Sequence, residues 1–514
     1  MKNYIKIIQF VLLLFFVSYI GQIYAQVPFP YGLLSNTEPE SPPPYPPVNT
    51  RLFPVGDYWV KDETNNNNEM VGKYGQVDSS GFNIIVGGKI GSSSTTESQI
   101  FSAASNNDLQ IILDSDNSIK KYAAGKHRTY YVGGYIANPL LGNIEIPLEY
   151  SFINDTGINT GTEIIAHPNN NDAPGYILRG YHCKDWWKDD AYYFTFNLQI
   201  DKSYSGDVAH IQVIANDGAF NLVDVIIHSD EFDDNNYKDF VYNFNYPNKE
   251  DINSYGIEFK INWFGNVPLN IKHIIVEDNI GHELFSGNKD SEILDSANFL
   301  ESYDLNNNLM GFYYDEPRIT QIESIGKIND IIGRLRPTNS PFLSNIVLNS
   351  TVAVNAIMHR YLLQGPPNFR PEKLLVDRYT LNFYHPKKEH WLDTDGIISP
   401  NPHHTNPNYY NAFLQEEINR LITGGFDEPN VALKDAALVS KVYNYDFWFA
   451  VQAHSWRHHR NPATSELNCF VNLALAYGAK GIFYMVPLKT TEILIMTMIL
   501  MEMAFMMMLF LNLM

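Results

Sequence analysis

Short apolar runs alternate with helical stretches at both ends of this chain, and a long block without helices separates those two ends. That alternation limits the fold more than any other feature. Parallel strands need a crossover between them, and the crossover is usually a helix. Before the block, strands are predicted over Leu52–Val60, Gly81–Gly88 and Leu109–Asp114, with a helix near 94–105. After it, helices are predicted over Ser291–Asp304, Arg318–Leu335, 409–423 and Thr464–Tyr477. The strands among them are 309–316, Phe342–Asn349, Lys373–Tyr379, Asp446–Ala453 and Gly481–Val486. Eight parallel-type strands are the number that closes a (β/α)8 barrel. The intervening block carries β-type segments, among them Tyr176–Gly180, Tyr192–Ile200, Ala209–Ala215, Phe240–Asn245, Gly256–Trp263 and Ile271–Glu277, separated by loops rich in Asn, Asp and Gly. Such spacing predicts an antiparallel sandwich. The expected fold class is α/β: a (β/α)8 TIM barrel with an inserted antiparallel β-sandwich, jelly-roll-like, after the third strand.

The expected organisation follows. Residues 1–25 read as a signal peptide: Lys2 and Lys6, an apolar run from Ile7 to Ile20, then Ile23-Tyr24-Ala25 as cleavage site. The protein is therefore expected outside the cytoplasm, secreted, periplasmic or at the cell surface. Residues 26–50 form a Pro-rich linker. Residues 51–126 give the first part of the barrel, 127–290 the inserted sandwich, and 291–487 the rest of the barrel. Residues 488–514 form an apolar tail holding eight of the thirteen methionines. Its length suits a membrane anchor. Its monotony, with Glu492 and Glu502 inside, favours a frameshifted or truncated gene end instead. No stable membrane insertion is expected unless that tail is a real anchor.

A formal net charge of -21 repels phosphate backbones, so nucleic acid is not an expected partner. The two cysteines, Cys183 and Cys469, lie far apart, and no Cys/His spacing of the zinc type occurs. His403-His404 has no third ligand at fixed spacing. No metal and no cofactor is expected. Aromatic residues make up 14% of the chain, which serves core packing and also supplies stacking faces for sugars. In the sandwich, Trp186, Trp187, Tyr192 and Tyr193 are candidates for either role.

The stretch Leu309-Met310-Gly311-Phe312-Tyr313-Tyr314-Asp315-Glu316-Pro317 reads as a buried strand ending in two adjacent carboxylates. Proline, without an N–H for the ladder, stops it. The C-terminal ends of barrel strands are where such barrels keep their chemistry. A carboxyl beside another carboxyl in an apolar cleft has a raised pKa, which suits Glu316 to general acid/base work. The competing reading is that Asp315 and Glu316 cap the following helix. Asp377 ends the sixth strand and is a candidate partner carboxylate. Tyr314, Tyr379, Trp448, Gln452, His454 and Trp456 lie near strand ends and are candidate substrate contacts. His454, His458 and His459 with Arg457 and Arg460 crowd the seventh loop, which suits an anionic sugar substituent or simply a solvated basic loop.

The combination of signal, barrel, strand-four Tyr-Asp-Glu-Pro and inserted sandwich resembles secreted bacterial (β/α)8-barrel glycoside hydrolases. The segment from Arg460 to Glu466, with Leu473–Tyr484, is similar to the strand-seven-to-eight connection of such barrels, including β-galactosidase-like ones. The resemblance implies a carbohydrate substrate and glycosidase activity. It also exposes a departure: retaining enzymes of this type carry Asn-Glu at strand four and a nucleophilic Glu at the end of strand seven. Here Asp315-Glu316 and Gln452-Ala453-His454 stand at those places, and Glu466 falls inside the next predicted helix. Three readings stay open. The Asp-Glu-Pro resembles that of the β-N-acetylgalactosaminidase family, which implies substrate assistance, with Asp315 orienting the acetamido group and Glu316 protonating the leaving oxygen. Alternatively Asp377 supplies the second carboxylate. Or the barrel is a non-catalytic glycan-binding or cell-envelope protein.

Overall fold

The computed structural model describes residues 55–58, 74–79, 81–90, 97–115, 118–132, 135–138, 142–145, 154–160, 163–170, 172–183, 191–215, 220–245, 257–314, 317–335, 343–345, 371, 373–378, 418, 421–422, 433–443, 446–453, 462 and 464–485. The expected signal peptide, linker and Met-rich tail lie outside the described residues. Apart from residues 138 and 142, all the elements discussed below belong to one compact unit. Among the described residues no helix is long and apolar enough to cross a membrane.

The architecture is mixed α/β, with a parallel sheet beside antiparallel sandwich-like sheets. The chain enters through β1 (Val55–Tyr58), β2 (Ile84–Ile90), α1 (Glu97–Asn106), β3 (Gln110–Ser115) and α2 (Ser118–Ala123). It then runs through β4 (His127–Tyr131), a two-stranded sheet of β5 (Tyr135–Asn138) and β6 (Gly142–Glu145), and β7 (Ile158–Asn159) to β8 (Ile164–Ala166). The long antiparallel strands are β9 (Gly175–Cys183), β10 (Ala191–Ile200), β11 (Asp207–Ala215), β12 (Phe220–His228), β13 (Lys238–Asn245), β14 (Ile257–Trp263) and β15 (Leu269–Asp278). Helices α3 (Asn279–Ser286) and α4 (Asp290–Glu301) lead back to β16 (Leu309–Tyr314) and α5 (Ile322–Leu335). The rest is β17 (Leu343–Asn345), β18 (Leu374–Arg378), α6 (Leu433–Tyr443), β19 (Phe447–Gln452), α7 (Thr464–Ala476) and β20 (Ile482–Met485).

The parallel strands pair in the order β1-β2-β3-β16-β17-β18-β19-β20, and β20 pairs back onto β1, Gly56 opposite Phe483. Alternation along each strand divides its side chains between two cores. Ile84, Val86, Ile112, Tyr313, Leu375, Trp448, Ala450 and Phe483 face inward and form one cluster. Their strand neighbours Ile85, Ile111, Leu113, Phe312, Leu374, Val376, Phe447, Phe449 and Tyr484 face outward and pack with helix residues such as Ile325, Ile328, Ile332 and Phe470. The near-continuous apolar runs of these strands follow from burial on both faces. Burying a side chain such as Phe483 contributes about 1.5–3 kcal/mol.

Trp448 differs from the expectation. It is the second residue of β19, at the end opposite Gln452, and is 2% exposed. Its ring lies 5.0 Å from that of Phe483 and over Gly481. It fills the ring of strands and has no face free for a sugar.

The sandwich core lies between one sheet in the order β13-β10-β15-β8-β7, with β4 also on β15, and a second in the order β12-β11-β14-β9. Phe194, Phe196, Phe259, Trp263 and Ile274 are among the fully buried residues filling it. Trp263 donates its indole N–H to Val267 O at 2.7 Å, so its one polar atom is satisfied. Elements not anticipated in this block are the short strands β6, β7 and β8, the strand β12, and helix α3, in a stretch expected to hold no helix.

Two substitutions test the packing of the parallel ring. A Cβ on Gly56 would lie 2.3 Å from Phe483 Cε1 and 2.9 Å from Ile84 O. Gly56→Ala is expected to cost about 1–3 kcal/mol in denaturant unfolding, by overpacking. Trp448→Ala is expected to cost about 3–5 kcal/mol, by leaving a cavity. A midpoint unchanged by either would contradict the interior packing.

Candidate functional site

Because all eight strands run parallel, their C-terminal ends collect at one end of the ring. Tyr314 is the last residue of β16, and Asp315 and Glu316 come next in sequence. Those two carboxylates lie outside the described residues, as do Tyr379, His454 and Trp456, the basic seventh loop 457–460 and His403-His404. Of Asp377 only the backbone is described. It is the fourth of five residues in β18, in register with Ala450 of β19.

Gln452 is described fully. It ends β19 and is 3% exposed. It alternates with Ala450 and Trp448, so it takes the inward side of the strand. A buried amide at the end of the seventh strand holds hydrogen bonds but cannot attack an anomeric carbon. Glu466 does not replace it. It lies in the first turn of α7, 1% exposed, within the helical layer. Burial, with the Glu466 charge beside it, pushes the Cys469 thiol up, which makes that sulfur a poor nucleophile.

The end of β16 and the turn after Pro317 are tied to their surroundings. Tyr314 is half-buried and packs against the outer core rather than standing free. Gln321 Nε2 donates to the Tyr314 hydroxyl at 2.9 Å and to Ala124 O at 3.1 Å. Gln321 Oε1 accepts from Arg318 N at 2.9 Å. One amide therefore fixes the strand end, the turn after Pro317 and the chain entering the sandwich.

The sandwich offers a second surface. Ala209, Ile211, Val213, Phe259 and Ile261 point into its core. Their alternates on β11 and β14 therefore stand on the outer face. Across the sheet, Asp224, Gln212, Lys260 and Arg179 form one row, and Ile226, His210, Asn262 and Tyr176 the next. Arg179 and Lys260 each stand 6.0 Å from the Tyr176 ring centre. The charges are compensated locally, Arg179 by Asp155 at 2.9 Å and Lys260 by Glu258 at 3.2 Å, and the His210 ring lies against Asp224. Hydrogen bonds from His210 and Asn221 hold the Asp224 carboxyl below the usual range. The result is a polar, nearly neutral platform with one aromatic ring. Of the four aromatic residues expected to serve either packing or sugar contact, the two described ones pack. Tyr192 is buried against Phe244, Tyr193 stacks on His282 at 3.7 Å, and Trp186 and Trp187 lie outside the described residues.

Among the described residues no group of three or more His, Cys, Asp or Glu stands where it would hold a metal ion.

No protein-family model matches the chain, and no curated protein matches it. Solved structures give distant likenesses. One, described as "CBM4 structure and function", is 10% identical, covers 30% of this chain and 86% of that chain, and has a TM-score of 0.17. The CBM22-1 and GH10 modules of a Clostridium thermocellum endo-1,4-beta-D-xylanase, complexed with xylohexaose, are 7% identical over 70% of this chain and 80% of that one, with a TM-score of 0.22. Cryptosporidium parvum pyruvate kinase is 10% identical over 87% of this chain and 69% of that one, with a TM-score of 0.28. The chain thus has distant structural neighbours among carbohydrate-binding modules and glycosidases as well as outside them. At such scores the likeness assigns no family and says nothing of activity.

Proposed function

We propose that this chain is a secreted carbohydrate-active protein, a (β/α)8-barrel glycosidase with a glycan-binding sandwich of jelly-roll type. The observation that carries the reading is the ring of eight parallel strands with β16 fourth in it. Asp315 and Glu316 follow that strand directly, Asp377 is the next-to-last residue of the sixth strand, and Gln452 ends the seventh. Strand ends of one parallel ring are the usual address of barrel chemistry. The sequence pattern at residues 1–25 supports export.

In the reaction, Glu316 is the general acid that protonates the glycosidic oxygen. With a buried glutamine at the end of β19, no protein nucleophile is assigned there. The displacement then falls to the substrate's 2-acetamido oxygen, oriented by Asp315, or to a water activated by Asp377. Each route needs only carboxylates at strand ends and no metal. The platform around Tyr176 and Gln212 suits a neutral, polyhydroxylated chain, because its own charges are already paired. A second reading, a barrel that binds glycan without cleaving it, is favoured by one observation, the Gln452 amide in the nucleophile's place.

The test is a panel of aryl glycosides with and without a 2-acetamido group. Glu316→Gln is expected to lower kcat by about 10²–10⁴, the usual weight of a general acid. Unchanged turnover would remove Glu316 from the mechanism. If wild-type protein releases nothing yet binds oligosaccharide, the non-catalytic reading holds. On the sandwich, Tyr176→Ala is expected to weaken glycan binding about tenfold, by loss of the stacking face. Equal affinity in a calorimetric titration would take the platform out of the account.

A further inference from the structure

The strands by which the chain enters and leaves the sandwich, β4 and β15, pair antiparallel, with His127 opposite Glu277. His127 is 6% exposed. Its Nδ1 lies 2.5 Å from Glu277 Oε1, and its Nε2 lies 3.2 Å from Glu323 Oε2. Glu323 belongs to the first turn of α5, the helix that follows Asp315-Glu316-Pro317. The same carboxylate accepts from Thr129 N at 2.9 Å and from the Thr129 hydroxyl at 2.8 Å. Glu277 Oε2 faces His282 Nδ1 of α3 at 2.8 Å. Two aromatic rings cover the imidazoles: Phe285 lies 3.5 Å over His127, and Tyr193 lies over His282.

Both nitrogens of His127 therefore face a carboxylate. A neutral imidazole has one N–H and one lone pair, so one nitrogen would turn its lone pair on an anion. Only the imidazolium donates to both. We propose that this buried chain of side chains is a proton-operated clamp between sandwich and barrel. It holds the first turn of α5 against β4 while His127 carries its proton and releases that turn when the proton is lost.

The surroundings agree. Burial by itself would lower the His127 pKa, but hydrogen bonds and charges from Glu277 and Glu323 outweigh it and push the value up to about 8. Burial likewise acts to raise Glu277, and the bonds and charges of His127 and His282 outweigh it, so that carboxyl is held below the usual range. Among the other ionisable groups of β15, His273 is pushed down by burial, with the charges of Lys272 and His127 acting in the same direction. Lys126 and Arg128 flank His127 in the chain. Asp278 is occupied as the α3 cap, accepting from Gly281 N at 2.7 Å and Lys126 N at 2.9 Å. Since the folded His127 value lies above the free value, the clamp contributes fully below pH about 6.5 and is lost as pH rises through about 8. The device stands whether or not the barrel hydrolyses a glycoside.

Hydrogen exchange of the full chain between pH 6.5 and 9.5, corrected for intrinsic rates, tests it. Peptides covering Lys126–Tyr131 and Ile322–Ile325 are expected to lose protection with a midpoint near pH 8, by up to about 30-fold, the factor that a shift from 6.5 to about 8 carries. A peptide from the ring interior, Phe447–Gln452, is expected to keep its protection. His127→Gln is expected to remove the pH dependence, and Glu323→Gln, nearly isosteric, to lower the midpoint. Protection flat with pH in wild-type protein would overturn the clamp, as would a His127→Gln chain with the wild-type midpoint. If His127→Gln does not fold, an unchanged midpoint in Glu323→Gln overturns it equally.

Discussion

The structure depends on how a β-sandwich is spliced into an α/β ring without disturbing it. The answer is the pairing of β4 with β15, which brings the entry and exit of the insert side by side. Lys126 and Asp278 seal the splice from both sides: Asp278 N donates to Lys126 O at 3.1 Å, and the Asp278 carboxylate accepts from Lys126 N. With the two ends held together, the ring closes as if the insert were an ordinary loop, at little extra entropic cost for its length. A Cβ at Gly281 would lie 1.9 Å from Lys126 O, so only glycine allows α3 to start this close to β4.

That splice also explains why the start of α5 is tied to the sandwich. Gln321 and Glu323, just beyond Pro317, reach the β4 approach through Ala124, His127 and Thr129. The helix behind the turn is thus positioned by the insert as well as by its own packing in the barrel core, where Ile322, Ile325 and Ile328 are buried. A domain attached in this way shares its stability with the helix it adjoins. Loss of charge at His127 would be felt in the first turn of α5 rather than in the sandwich core, which is built of aliphatic and aromatic side chains and, among the described residues, holds no ion pair.

The order of parallel strands was legible because their runs are apolar on both faces, as at Phe447–Gln452 and Ile482–Met485. The strong strands of the sandwich, β10 and β14, were legible for the same reason or through clean alternation. Strand β12 was not, since Asn221 and Asp224 break its pattern on a face that remains open to water. Helix α3 is eight residues long, and its Asp278 cap looks in sequence like the end of a strand. Trp448 was misread because an aromatic near a strand suggests a subsite, whereas its place at the start of β19 puts it inside the ring. The His127 cluster was invisible for a physical reason: its partner Glu277 is 150 positions away, and a buried ion pair leaves no local pattern.

The central claim is that the strand-four carboxylates address a sugar at the C-terminal end of the parallel ring. The most direct measurement is a crystal structure of the Glu316→Gln chain soaked with an oligosaccharide. The account predicts a sugar ring at the ends of β16 and β18, with its glycosidic oxygen about 3 Å from the side chain at position 316, within hydrogen-bond reach. A sugar bound only on the sandwich face, with the ring end empty, would contradict it.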